Sequence, residues 1–206
     1  MATGAPGPAA RRPAPEGQWR IAPTLPLVKA VTEIDSEAFR RVMGHFVTGV
    51  TVVTALDGER PFGITVNALS SVSLDPPLVM VALDRRRFLT PVVRAARRFA
   101  VNVLSEGQQA LSDCFAGAPV EPGREAFCGA PWHPGISGLP LIDGAIAALE
   151  CAVVETFSAG DHDLFIGRVD SMANDPQHPM PLLYYRRHYL RIERAATAEV
   201  EGKPER

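Results

Sequence analysis

The chain has 206 residues, of which 46% are apolar and 21% charged, with a formal charge of −2. Twenty-one basic against 23 acidic residues leave no basic surplus, which excludes a broad electrostatic affinity for nucleic acid or anionic membrane. The length suits one domain with tails, able to bury its own core without a metal or disulfide staple.

Six prolines fall in the first 26 residues, from Pro6 to Pro26, among Ala, Gly and Arg. Such a segment has no periodic apolar residues to offset its ordering entropy. Residues 1–30 are therefore expected as a disordered or loosely docked tail, 31–194 as the working domain, and 195–206 as a polar C-terminal tail. No apolar run reaches the ~18–20 residues of a bilayer span. The N-terminus lacks the basic-then-apolar order of a signal peptide, so a soluble cytoplasmic protein is the expectation.

Along the domain, Asp35 or Ser36 can cap a helix whose Phe39, Val42, Met43 and Phe46 share one face. Val47 to Ala55 is dense in β-branched residues and predicts a strand, with Asp57-Gly58 turning the chain. Phe62 to Ser73 predicts a second strand that becomes polar toward its end, and Asp75-Pro76-Pro77 stops it. Leu78 to Leu83 predicts a third, buried strand. Thr90-Pro91 predicts a helix start, with Thr as N-cap and Pro at the first helical position. Phe99 to Leu104 predicts a fourth strand, and Gln108 to Phe115 a helix. Residues 117–144, rich in Gly and Pro, predict a long irregular stretch. Ala147 to Phe157 and Asp163 to Asp170 predict paired strands around Gly160-Asp161, and Leu182 to Tyr185 with Tyr189 to Ile192 close the domain. Strands that follow one another without helical crossovers argue for a mainly β fold, a closed antiparallel barrel with peripheral helices. Cys114, Cys128 and Cys151 form no C-x-x-C, so inert thiols rather than a disulfide or a zinc site are expected.

Four segments could carry chemistry. Thr65 to Ser73 gathers small hydroxyl and amide side chains at a strand end, suited to a planar hydrogen-bonding ligand or simply to a polar turn. Arg85, Arg86 and Arg87 precede a helix start, describing either an anion site or a solvated loop. Gly160-Asp161-His162-Asp163 sets one His between two carboxylates in a turn. Tyr184 to Tyr189 is aromatic and basic together, as a stacking or phosphate-binding segment or a wet strand edge would be. His and Cys spacing indicates no metal site. Neither a P-loop, a G-x-G-x-x-G fingerprint nor a serine elbow occurs.

In order, Phe39 to Thr54, Gly63 to Leu78, Phe99 to Leu104, Gly160-Asp161-His162 and Tyr185-Arg186 resemble the flavin reductase family, whose fold is an antiparallel split β-barrel that binds FMN. The resemblance spans about 155 residues. It implies that Thr65, Asn67, Ala68, Ser70 and Ser71, with Val66 and Leu69 between them, line the isoalloxazine and ribityl chain. It implies that Arg85, Arg86, Arg87 and Thr90 hold the flavin phosphate, and that Phe99 belongs to the binding set. Asp161 and His162 would stand near the nicotinamide, with His162 in the catalytic role, and Tyr185 and Arg186 would approach the flavin or dinucleotide. Ala68 and Leu69 depart from the Ser and Phe of many members. The implied activity is hydride transfer from NADH or NADPH to FMN or FAD. The implied assembly is a homodimer that supplies a separate flavin-dependent monooxygenase. Other split-barrel flavoenzymes, of pyridoxamine-phosphate-oxidase or deazaflavin type, and a non-catalytic flavin carrier are the alternatives.

Overall fold

A computed structural model describes residues 34–119, 126–175 and 180–192. The expectations for the tails at 1–30 and 195–206 lie outside these residues. Three α-helices occur among them: α1 (Ser36–Met43), α2 (Leu89–Ala96) and α3 (Gln109–Ala116). The strands are β1 (Thr48–Gly49), β2 (Thr51–Asp57), β3 (Arg60–Val66), β4 (Leu69–Leu74), β5 (Pro77–Asp84), β6 (Arg98–Val103), β7 (Trp132–Pro134), β8 (Pro140–Ile142), β9 (Ala147–Ala159), β10 (His162–Asn174), β11 (Leu183–Tyr185) and β12 (His188–Leu190).

Seven strands form one antiparallel sheet in the order β3-β2-β6-β9-β10-β5-β4. The expected mainly β, split-barrel-like architecture is present, but the barrel is not closed by strand pairing. Its two edge strands, β3 and β4, are consecutive in the chain and joined only by Asn67 and Ala68. The predicted single strand from Phe62 to Ser73 is thus two. The Leu69 amide donates to the Asn67 carbonyl at 3.0 Å and the Ala82 amide to the Ala68 carbonyl at 3.2 Å, so the chain turns at a place with no Gly or Pro to announce it.

The barrel interior is filled by Val53, Val81, Leu83, Phe99, Val101 and Phe165, with Leu89, Val92 and Val93 of α2 packed against them. Each fully buried apolar side chain of this kind stabilises by about 1.5–3 kcal/mol. A Cβ on Gly167 would stand 2.6 Å from the Phe99 ring, so a residue without a side chain lets that ring seat in the wall. A second cluster under α3 contains Val50, Val52, Leu104, Phe115 and Leu182. Two register shifts between β9 and β10, at Ile166/Gly167 and Val169/Ser171, bend these long strands around the core.

Three local expectations are corrected. Helix α2 begins at Leu89, and Thr90 is not its N-cap: its hydroxyl donates to the Asp84 carbonyl at 2.7 Å. Pro91 therefore sits two residues deeper, still in the first turn, where its missing N–H costs nothing. The stretch 117–144 is not wholly irregular, since β7 and β8 pair within it, and the loop between them is shaped by buried Glu150. That carboxylate accepts from the Ile136 and Ser137 amides at 2.9 and 2.8 Å. Finally, Cys114 and Cys128 form a disulfide that joins α3 to a turn whose Phe127 and Cys128 both have positive φ. The turn returns the chain to α3 across 14 residues, a proximity that spacing alone does not show. Cys151 is the buried free thiol, and burial pushes it up to about 12.

Helix α1 has the expected cap, with Asp35 accepting from the Ala38 amide at 2.6 Å. Its apolar stripe, however, faces outward: Phe39, Val42, Met43 and Phe46 are 51–71% exposed, and only Ala38 is buried. No helix among the described residues is long and apolar enough to cross a membrane.

Candidate functional site

The gap between β3 and β4 opens into a groove of three adjoining cavities, all lined by Asn67. The first, of about 370 Å3, is walled by Thr65, Val66 and Ala68 and receives Arg87 and His162. The second, of about 620 Å3, is apolar along Met43, Phe46, Leu69, Met80 and Tyr184, with Arg186 and Arg187 on its lining. The third, of about 300 Å3, lies against α3 at Ser112, Asp113 and Tyr189.

Helix α3 is fastened to this groove by its own polar groups. The Thr65 hydroxyl donates to the Ser112 carbonyl at 2.6 Å. The Tyr189 hydroxyl lies 2.9 Å from the Ser112 hydroxyl and 2.7 Å from the Asp113 carboxylate. Partial burial, with the Asp113 carboxylate beside it, pushes Tyr189 up to about 12, so it remains a neutral hydroxyl able to donate to Asp113.

His162 opens β10, directly after the two-residue loop Gly160-Asp161 that pairs Ala159 with His162. Gly160 has φ +58°, which suits glycine at the first loop position of a hairpin. The His162 Nδ1 stands 2.7 Å from the Asp161 carboxylate, which fixes the ring and holds the Asp161 carboxyl below the usual range. His162 and Asp163 point to opposite faces, as neighbours on a strand must. His162 lines the first cavity while Asp163 is fully buried. Asp163 accepts from Arg94 on α2 and from the Ser158 hydroxyl, the latter at 3.1 Å.

The arginine loop is joined to the same hairpin. The Arg85 guanidinium donates to the Gly160 carbonyl and the Arg85 amide to the Asp161 carbonyl at 3.0 Å. Arg86 is spent locally: it pairs with Asp84 at 2.7 Å and holds that carboxyl far below the usual range. Of the three arginines, Arg87 is the one that lines this groove, with its guanidinium 3.4 Å from the Ala116 carbonyl.

The structure therefore brings Thr65, Val66, Asn67, Ala68, Leu69, Ser70, Arg87, His162 and Arg186 to one groove. Ser71 continues along exposed β4 outside these three cavities, and the Tyr185 ring stands nearly perpendicular to that of His45, 6.1 Å away. Thr90 and Phe99 are not brought to the groove: Thr90 is 2% exposed with its hydroxyl committed to Asp84, and Phe99 is core. Sequence reasoning missed Ser112, Asp113 and Met80, which reach the groove only through tertiary packing. It singled out the segment containing Arg187 without assigning that residue. Among the described residues no group of three or more His, Cys, Asp or Glu side chains could hold a metal ion.

A groove with one apolar chamber, amide and hydroxyl groups at its waist and cations at both ends fits a flat, hydrogen-bonding, phosphate-bearing ligand. Residues 43–193 match the family model described as flavin reductase like domain. The chain is 37% identical over 162 residues to the reductase subunit of a flavin-dependent monooxygenase from Mycobacterium tuberculosis, covering 78% of this chain and 84% of that protein. It is 41% identical to a flavin reductase (NADH) from Kitasatospora aureofaciens over 172 residues, 82% and 87% of the two chains. Among solved structures, the NADH:FAD oxidoreductase of Streptomyces globisporus superposes with a TM-score of 0.73 at 38% identity, covering 84% of this chain and 100% of that one.

Proposed function

We propose, from the premise that the chain belongs to the flavin reductase like domain family, that it is an oxidoreductase using NADH or NADPH to reduce FMN or FAD. The observation that carries this reading is the single groove at Asn67, with His162 at one end and an apolar chamber at the other. Bound flavin and nicotinamide would themselves supply the hydride-transfer chemistry, from nicotinamide C4 to flavin N5, so no protein nucleophile is required. The chain's part is position. Thr65, Asn67, Ala68 and Ser70 face the ring and ribityl chain, Arg87 takes the flavin phosphate, and His162, fixed by Asp161, orients the nicotinamide. The reduced flavin then leaves for a separate flavin-dependent monooxygenase. Relatives named as reductase components of such systems support that delivery.

The outward apolar stripe of α1 supports a homodimer, because a contiguous exposed patch of this kind marks an interface. Met43 and Phe46 belong both to that stripe and to the second cavity, so a second copy seated there would complete the chamber wall. The test is to mix the protein with FMN or FAD and NADH or NADPH and follow loss of nicotinamide absorbance. Oxidation with at least one pair is expected. No oxidation with any pair would favour a flavin carrier or a deazaflavin enzyme.

A further inference from the structure

Two of the three cysteines are joined, and the bond lies behind a wall of the groove. Cys114 stands on α3 between Asp113, which lines the third cavity, and Phe115, whose ring seats on β3: a Cβ on Gly63 would stand 2.7 Å from it. The Ser112 carbonyl of the same helix accepts the Thr65 hydroxyl at 2.6 Å. Ala116, at the helix end, lines the first cavity and offers its carbonyl to the Arg87 guanidinium at 3.4 Å. The position of this one helix therefore shapes both the first and the third cavity.

The disulfide braces α3 from the other side. Cys128 belongs to the short turn Ala126–Gly129, in which Phe127 and Cys128 have φ +51° and +57°. Two successive non-glycine residues in the left-handed region persist only where their surroundings over-determine them. Here those surroundings are the covalent bond at Cys128 and the Phe127 ring, which meets Phe115 at 5.1 Å and Trp132 at 6.0 Å. Opening the bond lets the turn relax toward ordinary backbone, which withdraws Phe127 from Phe115 and removes the brace.

Thiol–disulfide exchange needs access to a sulfur. Cys114 and Cys128 are both partly exposed, whereas Cys151 is buried in the barrel core. The flavin-reductase reading, on which this one point rests, places the chain beside the reduced thiols that accompany reduced nicotinamide. Disulfides in such surroundings are characteristically transient and redox-sensing.

We propose that Cys114 and Cys128 are a reversible redox site, opened by a dithiol reductant, that sets how firmly α3 is held against the groove. A reductant thiolate attacks one Sγ, and the other Sγ leaves as a thiolate and takes a proton. The second reductant thiol then displaces the first protein sulfur, which is protonated in turn. Two electrons and two protons have passed to the protein, and the reductant has become a disulfide. Exchange with a small disulfide runs the same steps backward and closes the bond. The intact bond favours ligand in the groove; the dithiol form binds it more weakly.

The test equilibrates the full chain with oxidised glutathione or with dithiothreitol and then removes the reagent without air. Thiols counted after unfolding are expected to be one, Cys151, after the first treatment and three after the second. On reduction the α3 amides are expected to lose protection from hydrogen exchange, and FMN to bind more weakly by about five-fold or more. The variant Cys114→Ala/Cys128→Ala is expected to match the reduced protein after either treatment. Three thiols after both treatments, α3 exchange or an FMN Kd that is the same in both states, or a double variant that still responds to dithiothreitol overturns the proposal. Exchange requires no ligand, so it decides the matter even for a protein that binds no flavin. That outcome, or flavin binding without nicotinamide oxidation, would count against the flavin-reductase reading alone.

Discussion

Arg94 of α2 closes an ion pair onto Asp163, a carboxylate with no exposed surface that lies one residue beyond His162. The pair links the helix that follows the arginine loop to the hairpin that carries the ring. Removing Arg94 would leave a buried charge with only the Ser158 hydroxyl to satisfy it. Because Arg94 is itself half exposed, Arg94→Ala is expected to cost about 2–3 kcal/mol, below the 3–5 kcal/mol of fully buried pairs. For a chain of this size that lowers Tm by about 5–10 °C, readable by calorimetry or circular dichroism. A Tm unchanged within error would show that the pair contributes nothing net.

His162→Ala separates orientation from binding. The ring lines the first cavity and is fixed by Asp161, while the chamber of Met43, Phe46 and Met80 does not involve it. Flavin Kd is expected to hold, while kcat/KM for the nicotinamide falls by about ten- to hundred-fold, the usual cost of a misplaced reactant. Steady-state assays beside a flavin titration check both halves. Unchanged turnover would remove His162 from its assigned role.

Tyr189 gives the chain an alkaline signature. Its folded pKa, pushed up to about 12, stands above its ordinary 10.0, chiefly through burial. A group whose folded value is raised contributes stability that is fully present below pH 10 and is lost as pH rises from 10 to 12, because the unfolded chain releases the proton first. Tyr189→Phe is expected to flatten that limb of the stability curve, measured by urea unfolding across the window. A slope identical to wild type would contradict the assignment.

The exposed stripe of α1 predicts the assembly. Val42, at its centre, is 65% exposed and is not buried by the described residues. Val42→Asp is therefore expected to leave Tm of the isolated fold nearly unchanged while converting the dimer to a monomer in light scattering. A wild-type protein that is monomeric and flavin-competent would overturn the dimer reading directly.

How much of this was legible beforehand varied with the range of the interaction involved. The strands were readable where β-branched residues crowd, as in Val47 to Ala55, and the turn at Gly160 was readable because a short hairpin needs its positive φ. The split at Asn67-Ala68 was not, since nothing there breaks a strand until Ala68 pairs with Ala82 across the seam. Three consecutive arginines read as one anion site, but geometry divides them: Arg86 turns back on Asp84, and Arg87 is the one that lines the groove. The periodicity of α1 revealed an apolar face without revealing that the other described residues leave the face exposed. Tyr184 to Tyr189 read either as a stacking or phosphate-binding segment or as a wet strand edge, and sequence carries no record of the left-handed backbone at Arg186 and Arg187. That backbone has an energetic cost of about 1–2 kcal/mol per residue.

The covalent bond between Cys114 and Cys128 also bears on how the chain behaves once cut. Any peptide bond cleaved between these two positions lies inside a closed ring, so a protease acting there nicks the molecule without dividing it. The nicked protein would run as one species in non-reducing electrophoresis and as two fragments after reduction. Helix α3, with Ser112 and Asp113 at the groove, would stay tethered to both halves.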